Sequence, residues 1–137
     1  MNGIEVGSMN GSFYTKNQFD KELNLSPEEQ EALHLVYNAL TLINVDLNTI
    51  HPERCSDKYL SVTTDSKMDF CRIKIGAKSK WISLSMWRAD ISLKNDPRFS
   101  GIKNRNVRHW KIPLTDVKDI SGLFDLIQAA YTSDTSD

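Results

Sequence analysis

The fold is decided by the sequence DFCRIKIGAKSKWISLSMW, residues 69–87. Apolar and polar residues alternate within it, and successive side chains of a β-strand point to opposite faces, so the pattern predicts two half-buried strands. Residues 76–79 between them have the length of a hairpin connection. The stretch therefore predicts an antiparallel hairpin with one apolar face. On its first strand, the side chains expected opposite the apolar face are Phe70, Arg72 and Lys74.

Two further runs with the same period flank this hairpin, residues 59–64 and 108–114. Leu60 and Val62 share one face of the earlier run. In the later run, Pro113 indicates an edge position or a strand end, because proline has no N–H group to donate to a neighbouring strand. Together the four runs predict a four-stranded antiparallel sheet with one apolar face that must be covered.

Two amphipathic helices are predicted to provide that cover. Ser26-Pro27-Glu28-Glu29 is a helix start with a capping box, and apolar residues then recur at helical spacing to about Ile43. Asn44 is the predicted stop, followed by a polar loop to about residue 57. A second helix is expected from its cap at Asp116 to Tyr131. The fold class is therefore α+β, a two-layer sandwich of the sheet with an N-terminal and a C-terminal helix.

The length of 137 residues fits a single domain. We assign this domain to residues 26–132, with a flexible N-terminal arm over residues 1–25 and a frayed tail over residues 133–137. The sequence has neither a membrane-spanning apolar run nor the basic and apolar blocks of a signal peptide, which predicts a cytoplasmic protein. Cys55 and Cys71 are too few and too differently placed for a disulfide framework or a zinc site, and both are expected to be free thiols.

Charge is strongly polarised along the chain. Residues 72–111 hold eleven Lys and Arg against two Asp, a net charge of +9, and the remainder carries −10, which together give the −1 of the whole chain. The part between residues 88 and 107 is rich in turn-forming residues and predicts a long loop, which is often a functional element.

Basic and aromatic side chains on one sheet face, continued by this loop, predict a surface that neutralises phosphates and stacks bases. The alternative is a solvated face whose lysines offset acids elsewhere and whose tryptophans cover hydrophobic stems. The candidate nucleic-acid-binding residues are Arg72, Lys74, Trp81, Trp87, Arg88, Lys103, Arg105 and Arg108.

No catalytic residue, metal site or cofactor is predicted. The sequence has no Gly-rich phosphate loop, no His-x-x-x-His pair and no Gly-x-Ser-x-Gly elbow. Asp69 with Asp57 or Asp65 and a nearby lysine resembles the set of a metal nuclease, but carboxylates near turns are more often turn formers. His109, beside a tryptophan in a strand, is interpreted as structural.

Several short motifs resemble a small bacterial domain of unknown function that has been labelled a predicted transport protein. They are Tyr59-Leu60 at the start of the sheet, the pair His109-Trp110, and the helix ending with Leu126-Ile127 and Tyr131. The resemblance covers about residues 26–132, although this chain has Lys111 where the family usually has glycine and carries no nuclease module. Members of that family occur alone or joined to GIY-YIG nucleases and modification-dependent restriction enzymes. The resemblance implies an accessory role near nucleic acid or in phage defence, not transport.

Two functions follow as hypotheses. The first is a non-catalytic, restriction-associated accessory domain that binds DNA or RNA. The second is a protein-interaction module, or a small phage-defence or counter-defence factor, that binds a protein partner. The salt dependence of binding distinguishes the two, because phosphate binding weakens steeply with salt and a hydrophobic protein contact changes less.

Overall fold

The computed structural model describes residues 24–55, 59–66, 69–85, 96–99 and 109–135. Within these ranges the chain is an α+β fold with one antiparallel sheet and two α-helices. The helices are α1 (Pro27–Thr41) and α2 (Phe124–Thr135), with short 3-10 helices at Leu47–Thr49 and Val117–Leu123. The five strands, which follow one another in the sheet in chain order, are β1 (Ile50–Arg54), β2 (Leu60–Thr64), β3 (Asp69–Ile75), β4 (Lys80–Ser85) and β5 (His109–Pro113).

Helix α1 begins and ends where the sequence predicted. The Ser26 hydroxyl accepts a hydrogen bond from the Glu29 amide at 3.1 Å, and the Glu29 carboxylate accepts one from the Ser26 amide at 3.0 Å. At the other end Asn44 adopts a φ of 63°, a left-handed conformation that asparagine tolerates better than most residues. The Val45 amide then donates to the Leu40 carbonyl at 3.1 Å, as in a Schellman motif. The capping box and the stop at Asn44 are therefore confirmed.

The prediction of four strands was wrong, because the sheet has a fifth strand, β1. The sequence predicts a polar loop here because this part of the chain contains Pro52 and Glu53, and in the structure Ile50 is the buried residue of the strand. The strand forms because it pairs in register with β2 from Ile50↔Thr64 to Arg54↔Leu60. Proline is tolerated there because an edge strand pairs on one side only. The four predicted strands are otherwise present within their described parts, while residues 86, 87 and 108 lie outside the described ranges.

A β-bulge at Phe70 changes the face of one predicted side chain. Val62 pairs with Cys71, but the next residue, Thr63, pairs with Asp69, so β3 contains one extra residue at this point. Phe70 is 0% exposed and its ring meets that of Tyr131 edge-on, with centroids 5.5 Å apart. The prediction that Phe70 lies on the face of Arg72 and Lys74 was therefore wrong.

Helix α1 packs against β3, helix α2 packs against β3 and β4, and the two helices pack against each other. The Gln128 side chain of α2 also donates to the Ala39 carbonyl of α1 at 2.9 Å. We call the sheet face that carries Leu60, Ile73 and Ile82 the inner face, because these side chains belong to the core that the helices share. Cys71 lies in this core and Cys55 is exposed, and both are free thiols.

The second helical segment differs from the single α-helix that we predicted. Asp116 caps it through a hydrogen bond from the Lys118 amide at 2.8 Å, and Asp119 completes a capping box, as expected. The first seven residues are 3-10 helix, and the α-helix begins only at Phe124 and continues to Thr135. Gly122 lies in this 3-10 helix, before the α-helix begins. In the part of the chain that the structure describes, neither helix has the length and apolarity needed to cross a membrane.

A buried ion pair connects the start of α1 to the edge strand β1. Arg54 donates to both carboxylate oxygens of Glu29, at 2.8 and 3.0 Å, and the Glu29 side chain is 9% exposed. Burial by itself raises the pKa of Glu29, but hydrogen bonds from Arg54 and Ser26, with the positive charge of Arg54, outweigh burial and lower the pKa below its ordinary value.

Arg54→Met should therefore lower the free energy of unfolding by about 2–3 kcal/mol near neutral pH, because it leaves a buried carboxylate without its partner. Because the pKa of Glu29 is lower in the folded protein than in the unfolded chain, the unfolded chain takes up a proton at higher pH than the folded protein does. The stabilisation by the ion pair is therefore complete above the ordinary pKa of Glu29 and is lost as the pH falls through the lowered pKa. The difference between wild type and variant should narrow as the pH falls below about 4.5. Urea denaturation at several pH values tests this. Glu28→Gln, in the same turn but exposed, is the control and should change stability by about 0.5 kcal/mol or less.

Candidate nucleic-acid interface

The face of the sheet opposite the inner face carries the candidate site, and we call it the outer face. Cross-strand pairing places Lys74 of β3 opposite Trp81 of β4, and Trp81 opposite Pro113 of β5. The adjacent row is Arg72, Ser83 and Lys111. Because residues in these rows share a face, three of the predicted binding residues, Arg72, Lys74 and Trp81, lie next to one another.

Trp81 is the centre of a cationic and aromatic group. The Lys111 ammonium lies 4.5 Å from the centre of the Trp81 ring, within the range of a cation–π contact. The Tyr59 ring is the second aromatic member of the group, with its centroid 6.1 Å from that of Trp81 and an angle of 37° between the ring planes. The Trp81 and Tyr59 side chains are both half-buried, and Lys111 is exposed. Among the described residues, neither Lys74 nor Lys111 forms an ion pair.

Arg72 differs from these lysines because its charge is neutralised within the protein. Its Nε donates to the Asp69 carboxylate at 2.6 Å. The bulge at Phe70 makes this contact possible, since it brings the Asp69 side chain to the outer face, where the Ser61 hydroxyl also donates to it at 3.1 Å. Arg72 therefore contributes less net charge to the outer face than the sequence predicted.

A chain of buried polar groups continues from Asp69 across the sheet. His109 Nε2 lies 3.2 Å from the second Asp69 carboxylate oxygen, and His109 Nδ1 lies 3.2 Å from the Ser83 hydroxyl. The order Ser, His, Asp is that of a hydrolase triad, but the two ring nitrogens are exchanged, because in the triad Nε2 contacts the serine and Nδ1 contacts the aspartate. In addition, Ser83 is 2% exposed in the middle of β4, so its hydroxyl is closed to a substrate. The geometry fits a network that satisfies buried polar groups and orients His109.

The carboxylates proposed for a metal-nuclease set have partners within the protein or lie outside the described ranges. The Asp65 carboxylate accepts a hydrogen bond from the His51 ring at 2.6 Å in the exposed turn after β2, and the Asp69 carboxylate accepts one from Arg72. Asp57 lies outside the described ranges. Over residues 24–55, 59–66, 69–85, 96–99 and 109–135, the structure contains no cluster of three His, Cys, Asp or Glu side chains suited to a metal ion.

The predicted basic loop is represented by residues 96–99 alone. Arg98 donates to both carboxylate oxygens of Asp96 and Asp125 and to the Gly122 carbonyl. Hydrogen bonds to Asp96 and then Asp125 raise the pKa of Arg98 above its ordinary value. Phe99 is buried and meets Trp110 edge-on at 5.6 Å. This part of the loop is therefore bound to the second helical segment. The predicted binding residues that lie outside the described ranges are Trp87, Arg88, Lys103, Arg105 and Arg108.

Two residues of the site were absent from the predicted set. Lys111 alternates with Trp110 and Ile112, which already indicated the outer face, and Tyr59 precedes a strand with the same parity as Ser61. The sequence therefore contained the signal for both. Their contacts with Trp81 depend on strand order, which alternation by itself does not specify.

A second surface feature lies where α1 ends beside α2. Leu42 is 68% exposed and Ile43 is 38% exposed. Ile43 and Val45 line an open groove together with residues of α2, including Ala129 and Tyr131. This apolar surface is separate from the outer face of the sheet.

Comparison with known proteins gives this chain no relative: it matches no family model, no curated protein and no solved structure. The resemblance to the small bacterial domain therefore stays a prediction from the motifs.

Proposed function

We propose that this chain is a non-catalytic accessory domain that binds nucleic acid through the outer face of its sheet. The observation that carries the proposal is the group formed by Trp81, Lys74 and Lys111, in which two lysines without an ion pair in the described structure flank a partly exposed indole ring. Lysines supply the phosphate contacts that dominate affinity, and an aromatic ring supplies a surface for a base.

The proposal includes a two-layer arrangement, with the helices on the inner face and the ligand on the outer face. Its support is the contact of α1 with β3, the contact of α2 with β3 and β4, and the polar character of the outer rows. A bacterial, cytoplasmic setting in DNA processing or phage defence is the further part of the proposal, and the motifs that resemble the small bacterial domain support it.

Fluorescence anisotropy with labelled single-stranded DNA, duplex DNA and RNA, at about 50 and 200 mM salt, tests the proposal. Two lysines that each neutralise one phosphate give a slope of log affinity against log salt of about −1.4 on a single strand. Contacts from the basic residues of the loop would make the slope steeper. Absence of binding to all three ligands at the lower salt would overturn the proposal.

The exposed apolar surface favours a second function, a protein-interaction module. Leu42 and Ile43 project at the end of α1 beside the groove with α2, and exposed apolar side chains next to a groove are typical of partner-binding surfaces. Binding there should change little with salt. A partner whose affinity is lost in Leu42→Ser with Ile43→Ser, but kept in Lys74→Ser with Lys111→Ser, would support this function. The reverse pattern would assign the partner to the outer face.

A further inference from the structure

We infer that Trp81 is the stacking site for one unpaired base and that the ligand of the outer face is therefore single-stranded nucleic acid. The inference rests on the proposed function, and it specifies the class of nucleic acid and the residue that selects it. Trp81 is suited to this role because its neighbours on the same face of β4 are Ser83 and Ser85, both small and buried. The indole ring is the large apolar surface of that strand on the outer face.

Lys111 has two alternative positions in this scheme. In the structure its ammonium lies over the Trp81 ring at 4.5 Å, where a base would stack. A cation–π contact at an exposed site is weaker than the stacking of a base on an aromatic side chain. An arriving base therefore displaces the ammonium, which remains close to the base and is then available to a phosphate of the same strand. A base of the ligand thus takes the place of the Lys111 ammonium on the Trp81 ring, and a phosphate of the same ligand becomes the new partner of Lys111.

Duplex nucleic acid does not satisfy this geometry. In a duplex each base is already stacked between its neighbours, so its flat face is closed to a side chain that projects from a sheet. Lys74, directly opposite Trp81 on β3, provides a second cation for the backbone of a strand that crosses the sheet. Phosphate contacts are common to single and double strands, so Trp81 is the residue that gives the protein its preference for single strands.

A strand without bases provides the test, because it keeps the phosphates and removes the stacking. Anisotropy is measured with a labelled DNA strand of about 12 nucleotides, within the site sizes of such proteins, with an abasic strand of equal length, and with the duplex. An RNA strand of the same sequence shows whether the sugar matters. We expect the wild-type protein to bind the base-containing strands about tenfold more tightly than the abasic strand, as stacking of one base predicts.

Three variants complete the test. Trp81→Ala should bind the base-containing and abasic strands equally and keep the salt dependence, whereas Trp81→Phe should retain part of the preference. Lys111→Gln should reduce the slope of log affinity against log salt by about 0.7 and keep the preference for bases.

The outcomes separate this inference from the proposed function. The inference would be overturned if the wild type bound the base-containing and abasic strands equally and with salt dependence. It would also be overturned if the wild type bound the duplex as tightly as the single strand. Either result would leave the proposal of phosphate binding intact. Absence of binding to every ligand would overturn both.

Discussion

Lys74→Glu combined with Lys111→Glu should lower the affinity for single-stranded nucleic acid about 100-fold at about 50 mM salt. Two unit charges 4 Å apart in water attract by about 1 kcal/mol, and each reversal replaces that attraction with a similar repulsion. Two reversals therefore cost up to about 4 kcal/mol before screening by salt, and 1.4 kcal/mol corresponds to tenfold in affinity. The salt dependence of the remaining binding should largely disappear.

The control for this double variant is Lys78→Glu with Lys118→Glu, which changes the net charge by the same amount. Lys78 lies in the β3–β4 turn and Lys118 in the 3-10 helix before α2, and both are exposed. We expect the control to reduce affinity only a fewfold, through the weaker overall field. Circular dichroism and urea denaturation should show that both variants fold. Equal loss of binding in the two variants would indicate a response to net charge and not to the outer face.

Phe70→Ala should lower the free energy of unfolding by about 3–5 kcal/mol. Phe70 is fully buried, lies in the β-bulge and meets Tyr131 of α2 edge-on, so its removal leaves a cavity between the sheet and the helix. A loss of this size is a large part of the stability of an ordinary domain. The measurement is the midpoint and slope of urea denaturation.

Leu42→Ala is the matched control for the loss at Phe70, because it also truncates a large apolar side chain but at a position that is 68% exposed. We expect a change of about 0.5 kcal/mol or less. A loss of under about 1 kcal/mol in Phe70→Ala would mean that Phe70 does not join the sheet to α2 as described. Because the bulge also brings Asp69 to Arg72 and His109, Phe70→Leu, which keeps much of the volume, should preserve nucleic-acid affinity.

Local patterns predicted a large part of this molecule. The capping box at Ser26 and Glu29 and the stop at Asn44 depend on residues a few positions apart, and a single segment of sequence contains all the information they need. Alternation in β3 and β4 likewise placed Arg72, Lys74 and Trp81 on one face, because the side-chain period of a strand is set by its backbone.

Strand β1 and the contacts of the outer face required information from distant segments. Ile50–Arg54 has a weak apolar pattern and becomes a strand through its pairing with β2. The contact between Lys111 and Trp81 joins strands that are separated by a long stretch of chain, and it depends on β5 lying next to β4. Alternation gives the face of each residue, but strand order decides which residues on that face become neighbours.

By itself, the sequence determined an antiparallel α+β fold, the ends of the first helix, and a concentration of positive charge between residues 72 and 111. Only the tertiary structure decided which of those charges are neutralised within the protein and which lie beside Trp81 on the outer face. The bulge at Phe70 turns Asp69 to the outer face, where it neutralises Arg72, while β5 brings Lys111 over Trp81. The physical reason is that charge is a property of each residue, whereas its availability depends on neighbours that pairing between distant strands brings within hydrogen-bonding or van der Waals distance.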